Sequence, residues 1–370
     1  MVRMRSSRRV GKALVIVLIL LLAGAGGAAY GWVALARPYK NFPNEGVFVT
    51  VPHGASRRMV SRILERQGVI RSSLVFELYC RRHPRRTLIA GDYFFDHAVA
   101  ARDVFDTLAN GRVYVKNVTV PEGYTMVEIA ALLEREKLVS HEAFLTAAQD
   151  TSLISDLAPR ARNLEGFLFP ATYPFPRHPA PQDAVAAMVR RFRDMWTRLS
   201  AETGTDGRSV QDVITLASLI EKETPQPEEK PLVAAVFLNR LRFHRPLQCD
   251  PTVLYALELA GRSGGPLTTK DLQLDSPYNT YRHTGLPPGP IASPGEASLR
   301  AALTPAKSDY LYFVANMQGG HFFSRTLAGH NRNVRRYRQL LARANGMEED
   351  PAQQPPPRPH RKWRHRKGAR

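Results

Sequence analysis

The stretch TLASLIEKETP, Thr215 to Pro225, sets two glutamates, Glu221 and Glu223, on either side of Lys222 where an apolar run stops. A carboxyl group kept in an apolar setting has a distinctive use. Desolvation disfavours the charged form of an acid, and a carboxyl that keeps its proton near neutral pH can act as a general acid and, once ionised, as a general base. Val210, Val213, Ile214, Ala217 and Ile220 recur at helical spacing, which predicts a helix with one face packed inward. Glu221 falls four residues after Ala217 and seven after Ile214, on that face. Glu223 follows Ile220 and Leu219 by three and four residues, so spacing alone admits either carboxylate. Pro225 ends the helix and leaves Glu221 in its last turn. The plain alternative is a solvated Glu–Lys pair at a helix end.

The elements that would position these groups lie on both sides. Upstream, NLEGFLFPATYPFPRHPAPQ (163–182) interleaves aromatics with prolines and reads as a rigid extended stretch, suited to core packing or to the wall of a groove. AVAAMVRRFRDMWTRL (184–199) reads as a helix. Downstream, VFLNRL, RPLQCDPTVLYAL, DSPYNTYRHTGLPPGPIASPG, YLYFVANMQGGHFFSRT and GHN form turn-rich blocks dense in Asn, Gln, Asp, Tyr and His.

Near the N-terminus, Ala13 to Ala36 forms a 24-residue run without a charge, long enough for a bilayer core of about 30 Å. Tyr30 and Trp32 suit an interfacial aromatic belt. The run is longer than the apolar core of a cleavable signal, although Ala34-Leu35-Ala36 resembles a cleavage site. The expected layout is a basic cytoplasmic segment at 1–12, a transmembrane helix at 13–36, and the remainder outside. Of the net charge of +19, twelve positive charges sit at the two ends, between Arg3 and Lys12 and between Arg358 and Arg370. No zinc-finger or RNP-type motif accompanies them, so the charge does not argue for nucleic acid. The segment from 347 to 370 is Pro-rich and basic and is expected to be disordered. Two distant cysteines, Cys80 and Cys249, read as buried thiols.

The chain repeats itself. VTVPHG (49–54) recurs as VTVPEG (118–123), and ILERQGVI (63–70) lines up with LLEREKLV (132–139) at the same offset of 69. An apolar strand, a Pro-x-Gly turn and an amphipathic helix therefore occur twice. These units resemble the small LysM-like modules of wall-binding proteins, and equally fit a duplicated packing unit without a ligand. The fold class expected is α+β: one transmembrane helix, LysM-like modules at 46–115 and 116–160, and a mixed catalytic domain at 161–346. RRHPRR (81–86) reads as a loop and GDYFFD (91–96) as a strand.

Taken in order, NLEGFLFPATYPF, ASLIEKET and the downstream blocks resemble the YceG-like family of endolytic murein transglycosylases over roughly residues 46–345. That resemblance implies a membrane-anchored lytic transglycosylase that cuts peptidoglycan glycan strands between N-acetylmuramic acid and N-acetylglucosamine and leaves a 1,6-anhydro end, terminating strand elongation. It implies Glu221 as the catalytic acid and base, since the sugar's own C6 hydroxyl attacks and no second carboxylate is needed as nucleophile. No metal and no organic cofactor are called for. The implied partners are glycan strands, the inner membrane of a bacterial cell, and peptidoglycan synthases of the elongation or division machinery. Two positions depart from the family pattern, Ala171 in FPATY and Cys249 after PLQ.

Candidates for lining the groove are Gln248, Asp250, Asn279, Tyr281, Tyr173 and Glu165. Each has a bland counterpart. Asp250 precedes Pro251-Thr252 and fits a helix N-cap, Tyr173 and Tyr278 fit a core, and His321 and His330 fit loop packing. Two other functional readings stand beside the lyase: a catalytically silent wall-binding scaffold, and a hydrolytic muramidase that recruits Glu165 or Asp250 as its second carboxylate.

Overall fold

The structure is a computed structural model that describes residues 4–262 and 264–344. The expected basic tail, 347–370, lies outside the described residues. Helix α1 (Met4–Ala36) contains the apolar run. Its portion Leu14–Ala36 has a mean hydropathy of 2.3, is long and apolar enough to cross a membrane, and leaves Leu14 to Leu22 exposed.

The chain then divides into two compact units. One holds residues up to 119 with 132–140 and 172–184; the other holds 120–131, 141–171 and 185 onward.

In the first unit, β1 (Val47–Val51) leads to α2 (Arg57–Arg66) and α3 (Ser73–Arg82), then to β2 (Gly91–Phe95) and α4 (Ala101–Ala109). β1 and β2 pair antiparallel with Val49 opposite Tyr93. Alternation along the strands turns Val49, Val51, Tyr93 and Phe95 inward, where they meet Val60, Leu64, Phe76 and Phe105. Ser56 and Ser72 cap α2 and α3 with side-chain oxygens that accept the Met59 and Val75 amides. The segment read as a loop at 81–86 gives its first two residues to α3.

The repeat is visible in the backbone. β3 (Lys116–Thr119) and α5 (Met126–Arg135) stand 69 residues after β1 and α2, and α6 (His141–Ala147) follows as α3 follows α2. The helix stop is also repeated: Gly68 has φ +73° and Lys137, at the same offset, φ +58°. Both sit in the left-handed region, a conformation glycine adopts without a Cβ penalty and lysine does not. β3 pairs antiparallel with β4 (Thr172–Phe175), Val118 opposite Tyr173.

Beyond the long α7 (Pro181–Thr203), the second unit is arranged on α8 (Val210–Glu223), with α9 (Lys230–Arg242), α10 (Asp250–Leu259) and α11 (Glu296–Leu303) against it. A hairpin of β5 (Tyr312–Ala315) and β6 (His321–Ser324) and the helix α12 (Leu327–Ala344) complete it. α8 does not have the single packed face its spacing predicts. Every residue from Val213 to Ile220 is buried, so the helix is enclosed on all sides. Ser209 caps its start by accepting the Asp212 amide. Thr224 leaves the helix at φ −142°, ψ 130°, the extended geometry a residue before proline favours.

The segment LPPGPIASPG (286–295) runs along α8 as a strap. Gln211 Nε2 donates to the Pro288 carbonyl at 2.9 Å, and the Ile291 amide donates to Ser218 Oγ at 3.1 Å. Farther along, the Gly295 amide donates to Glu221 Oε2 at 3.0 Å. Gly166, at φ +80°, passes so close to the strap that a Cβ there would overlap Pro290.

Candidate active site

Glu221 ends up in the last turn of α8, and both of its oxygens are occupied. Oε1 accepts Lys230 Nζ at 2.9 Å; Oε2 accepts Ser298 Oγ at 2.6 Å and the Gly295 amide at 3.0 Å. Lys230 Nζ also donates to Ser298 Oγ at 2.9 Å, closing a triangle of carboxylate, ammonium and hydroxyl. The side chains of Glu221 and Lys230 are 8% and 3% exposed. The setting expected to be apolar is thus a nest of donors. Three helices build it: α8 carries the carboxylate, Lys230 opens α9 one residue after its N-cap, and Gly295 and Ser298 form the start of α11. A carboxylate at the N-terminus of α11 meets the positive end of that helix, offsetting its place at the negative end of α8.

The Pro-Glu-Gly turn of the second repeat closes one side. The Gly123 amide donates to the Ser293 carbonyl at 2.8 Å, the Ser293 amide to the Tyr124 carbonyl at 2.8 Å, and Lys222 Nζ to the Gly123 carbonyl at 3.2 Å. Just beyond, Thr125 and Glu128 form a capping box: the Thr125 amide donates to Glu128 Oε2 at 2.8 Å and the Glu128 amide to Thr125 Oγ1 at 3.1 Å. A cleft of about 970 Å³ opens beside Lys222, walled by Thr125, Glu128, Leu254, Tyr255 and Glu258.

Glu223 is a different carboxylate. Desolvation, with Asp250 nearby, pushes it up to about 7 against the pull of a Cys249 hydrogen bond and the Arg240 charge. Around it gather three of the sequence candidates. Tyr281 Oη donates to Asp250 Oδ1. Gln248 accepts from Arg240 Nη1 at 3.2 Å and holds a left-handed backbone at φ +51°. Asp250 opens α10, whose N-cap is its neighbour Cys249.

The other candidates have structural partners. Asn279 is 0% exposed; its Nδ2 donates to the Leu272 and Leu274 carbonyls at 3.0 and 2.8 Å, and its Oδ1 accepts the Tyr281 amide. Glu165, 3% exposed, accepts the Met126 amide on both oxygens at 3.1 Å and Tyr255 Oη at 3.3 Å. Burial pushes its carboxyl up to about 8. Tyr173 lies in the first unit, buried and stacked on Phe175 at 5.8 Å. Among the histidines, His321 Nδ1 meets Glu229 Oε2 at 2.7 Å, and His330 stacks on Tyr312.

Sequence reasoning did not single out Lys230, Gly295 or Ser298. Lys230 sits in EEKPL, which reads as solvated charge before a helix. The other two lie in SPGEASL, where a glycine at a helix start is the only local signal.

A buried carboxylate held by a lysine and a helix start, one residue before the Lys222 that lines the cleft, has the parts an acid–base enzyme uses. The chain belongs to the YceG-like family, whose model matches residues 49–336. It is 35% identical to a Bacillus subtilis protein named endolytic murein transglycosylase, over 84% of this chain and 90% of that one. A Streptococcus pneumoniae protein of the same name is 30% identical over 86% of this chain and 63% of its own length. The crystal structure of a YceG-like protein from Listeria monocytogenes aligns with a TM-score of 0.54 at 34% identity, covering 78% of this chain and 99% of that one.

Proposed function

We propose that this protein is an endolytic murein transglycosylase, anchored by α1, in which Glu221 moves the proton. The observation that carries the reading is the enclosed carboxylate of α8, fixed by Lys230, Ser298 and Gly295 within a chain of the YceG-like family. Its substrate is peptidoglycan. The bond cut lies between N-acetylmuramic acid and N-acetylglucosamine: Glu221 protonates the leaving oxygen, the C6 hydroxyl of the muramoyl residue attacks its own anomeric carbon, and Glu221 takes the hydroxyl proton. Fixing the carboxylate in advance removes the cost of orienting it during the reaction.

The cleft beside Lys222 is the place for the glycan, with Gln248, Asp250 and Tyr281 the polar side chains left to meet sugars on the other flank. Asn279 and Glu165 serve instead to hold the loops, and Tyr173 supports its own strand pair. The N-terminal residues stay in the cytoplasm, the rest faces the outer side of the inner membrane, and synthases of elongation or division work on the same strands.

Product mass tests the reading. Uncrosslinked glycan strands should yield ends lighter by one water than the hydrolysed sugar. Hydrated ends would make the protein a muramidase, and unchanged strands a scaffold.

A further inference from the structure

As it stands in the structure, Glu221 accepts hydrogen bonds on both oxygens. The first half of the reaction needs a proton to give. The turn that closes the site carries a second acid, Glu122, at the position where the first repeat has His53.

Gly295 lies between the two acids. Its amide donates to Glu221, and its Cα is so close to the Glu122 carboxyl that a methyl group added there would overlap it. On the other side of the turn, a Cβ at Gly123 would meet Glu221 Cγ at 3.6 Å. The charged groups that face Glu122 are Glu221 from α8 and Lys230 from α9, while Lys222 holds the neighbouring Gly123 carbonyl. Unlike Glu221, Glu122 is exposed at the surface. Desolvation by its surroundings and the Glu221 charge both favour its protonated form, against the pull of Lys230.

We propose that Glu122 is the proton reservoir of the active site, a positioning residue that loads Glu221 with the proton it delivers. Resting on the transglycosylase reading above, the sequence of transfers balances. Glu122 gives its proton to Glu221; Glu221 gives it to the leaving oxygen as the glycosidic C–O bond breaks. The C6 hydroxyl closes the new C–O bond and its proton passes to Glu221, then back to Glu122. One C–O bond is lost, one is formed, and no water is consumed.

The experiment uses the full chain in detergent micelles on uncrosslinked glycan strands, across pH 5 to 9. Glu122→Gln should lower kcat by about tenfold or more with KM unchanged, and should displace the alkaline limb of the kcat profile. Glu122→Asp should recover part of the rate. Gly295→Ala keeps the amide to Glu221 but pushes the Glu122 carboxyl aside, and should reproduce the Glu122→Gln profile. Wild-type kcat for Glu122→Gln at every pH, or a loss carried wholly by KM or melting temperature, would overturn the proposal. Glu221→Gln is run in parallel. If it is inactive while Glu122→Gln is normal, the reservoir alone fails; if it remains active, the reading of the site fails with it.

Discussion

Lys230 Nζ lies 2.9 Å from Glu221 Oε1, and the two side chains are almost wholly withdrawn from solvent. Such a pair gains little net stability over an apolar one, but it holds geometry, and removing one partner leaves the other uncompensated. Lys230→Met should therefore destabilise the second unit by about 3–5 kcal/mol, read from a denaturant midpoint, and lower strand cleavage as well. An unchanged midpoint would show that the ammonium does not balance the carboxylate.

Glu221→Gln retains the shape of the side chain and removes its acidity. Anhydro product formation should fall by about 10²-fold or more, with the melting temperature and glycan binding kept. Glu223→Gln should cost far less. If the Glu223 variant is the inactive one, the carboxylate pushed up to about 7 beside Asp250 is the proton carrier, and the roles of the two acids are reversed.

Glu165 gives stability a pH dependence of its own. Its folded carboxyl, pushed up to about 8 by burial, lies above the ordinary range of about 4.3 for an unfolded glutamate. A group raised on folding contributes in full below the unfolded value and loses that contribution as pH rises through the folded one. Between about pH 4.3 and 8, stability should fall by an amount on the order of a few kcal/mol. Glu165→Gln should flatten this slope in thermal melts taken across that range. A slope equal to the wild type's would place the titration elsewhere.

Topology can be read with thiol chemistry because both natural cysteines, Cys80 and Cys249, are buried and free. A cysteine introduced at exposed Arg102 should react in intact cells with a reagent that does not cross the inner membrane, whereas one at Ser7 should not. The opposite pattern would reverse the orientation assigned to α1.

The place of Glu221 in the last turn of α8 was legible in the sequence and its surroundings were not. Apolar spacing and Pro225 fix α8 and its end, but spacing cannot separate a helix packed on one face from one enclosed all round, which is what Val213 to Ile220 form. The donors to Glu221 come from Lys230, nine residues on, and from Gly295 and Ser298, 74 and 77 residues on. No local pattern reports such distances. The polar loop blocks were legible as composition only. Asn279 turns inward because the backbone carbonyls of Leu272 and Leu274 need donors that a loop does not supply. The repeat, by contrast, was plain to its helix stops, since strand, helix and left-handed stop recur at the same spacing.

The chain leaves little slack where α1 ends. Within five residues of Ala36, Tyr39 and Val99 exchange backbone bonds of 2.9 and 3.2 Å, and the Asn41 amide reaches the Gly68 carbonyl at 3.0 Å. Arg71 lays its guanidinium over the Tyr39 ring at 4.5 Å. A swinging linker would let a tethered catalyst sweep a volume that grows with the length of its leash. This one is stitched down at once, so the first unit rides at a fixed stand-off from the end of its anchor. Whatever fixes α1 in place then fixes the reach of the first unit with it.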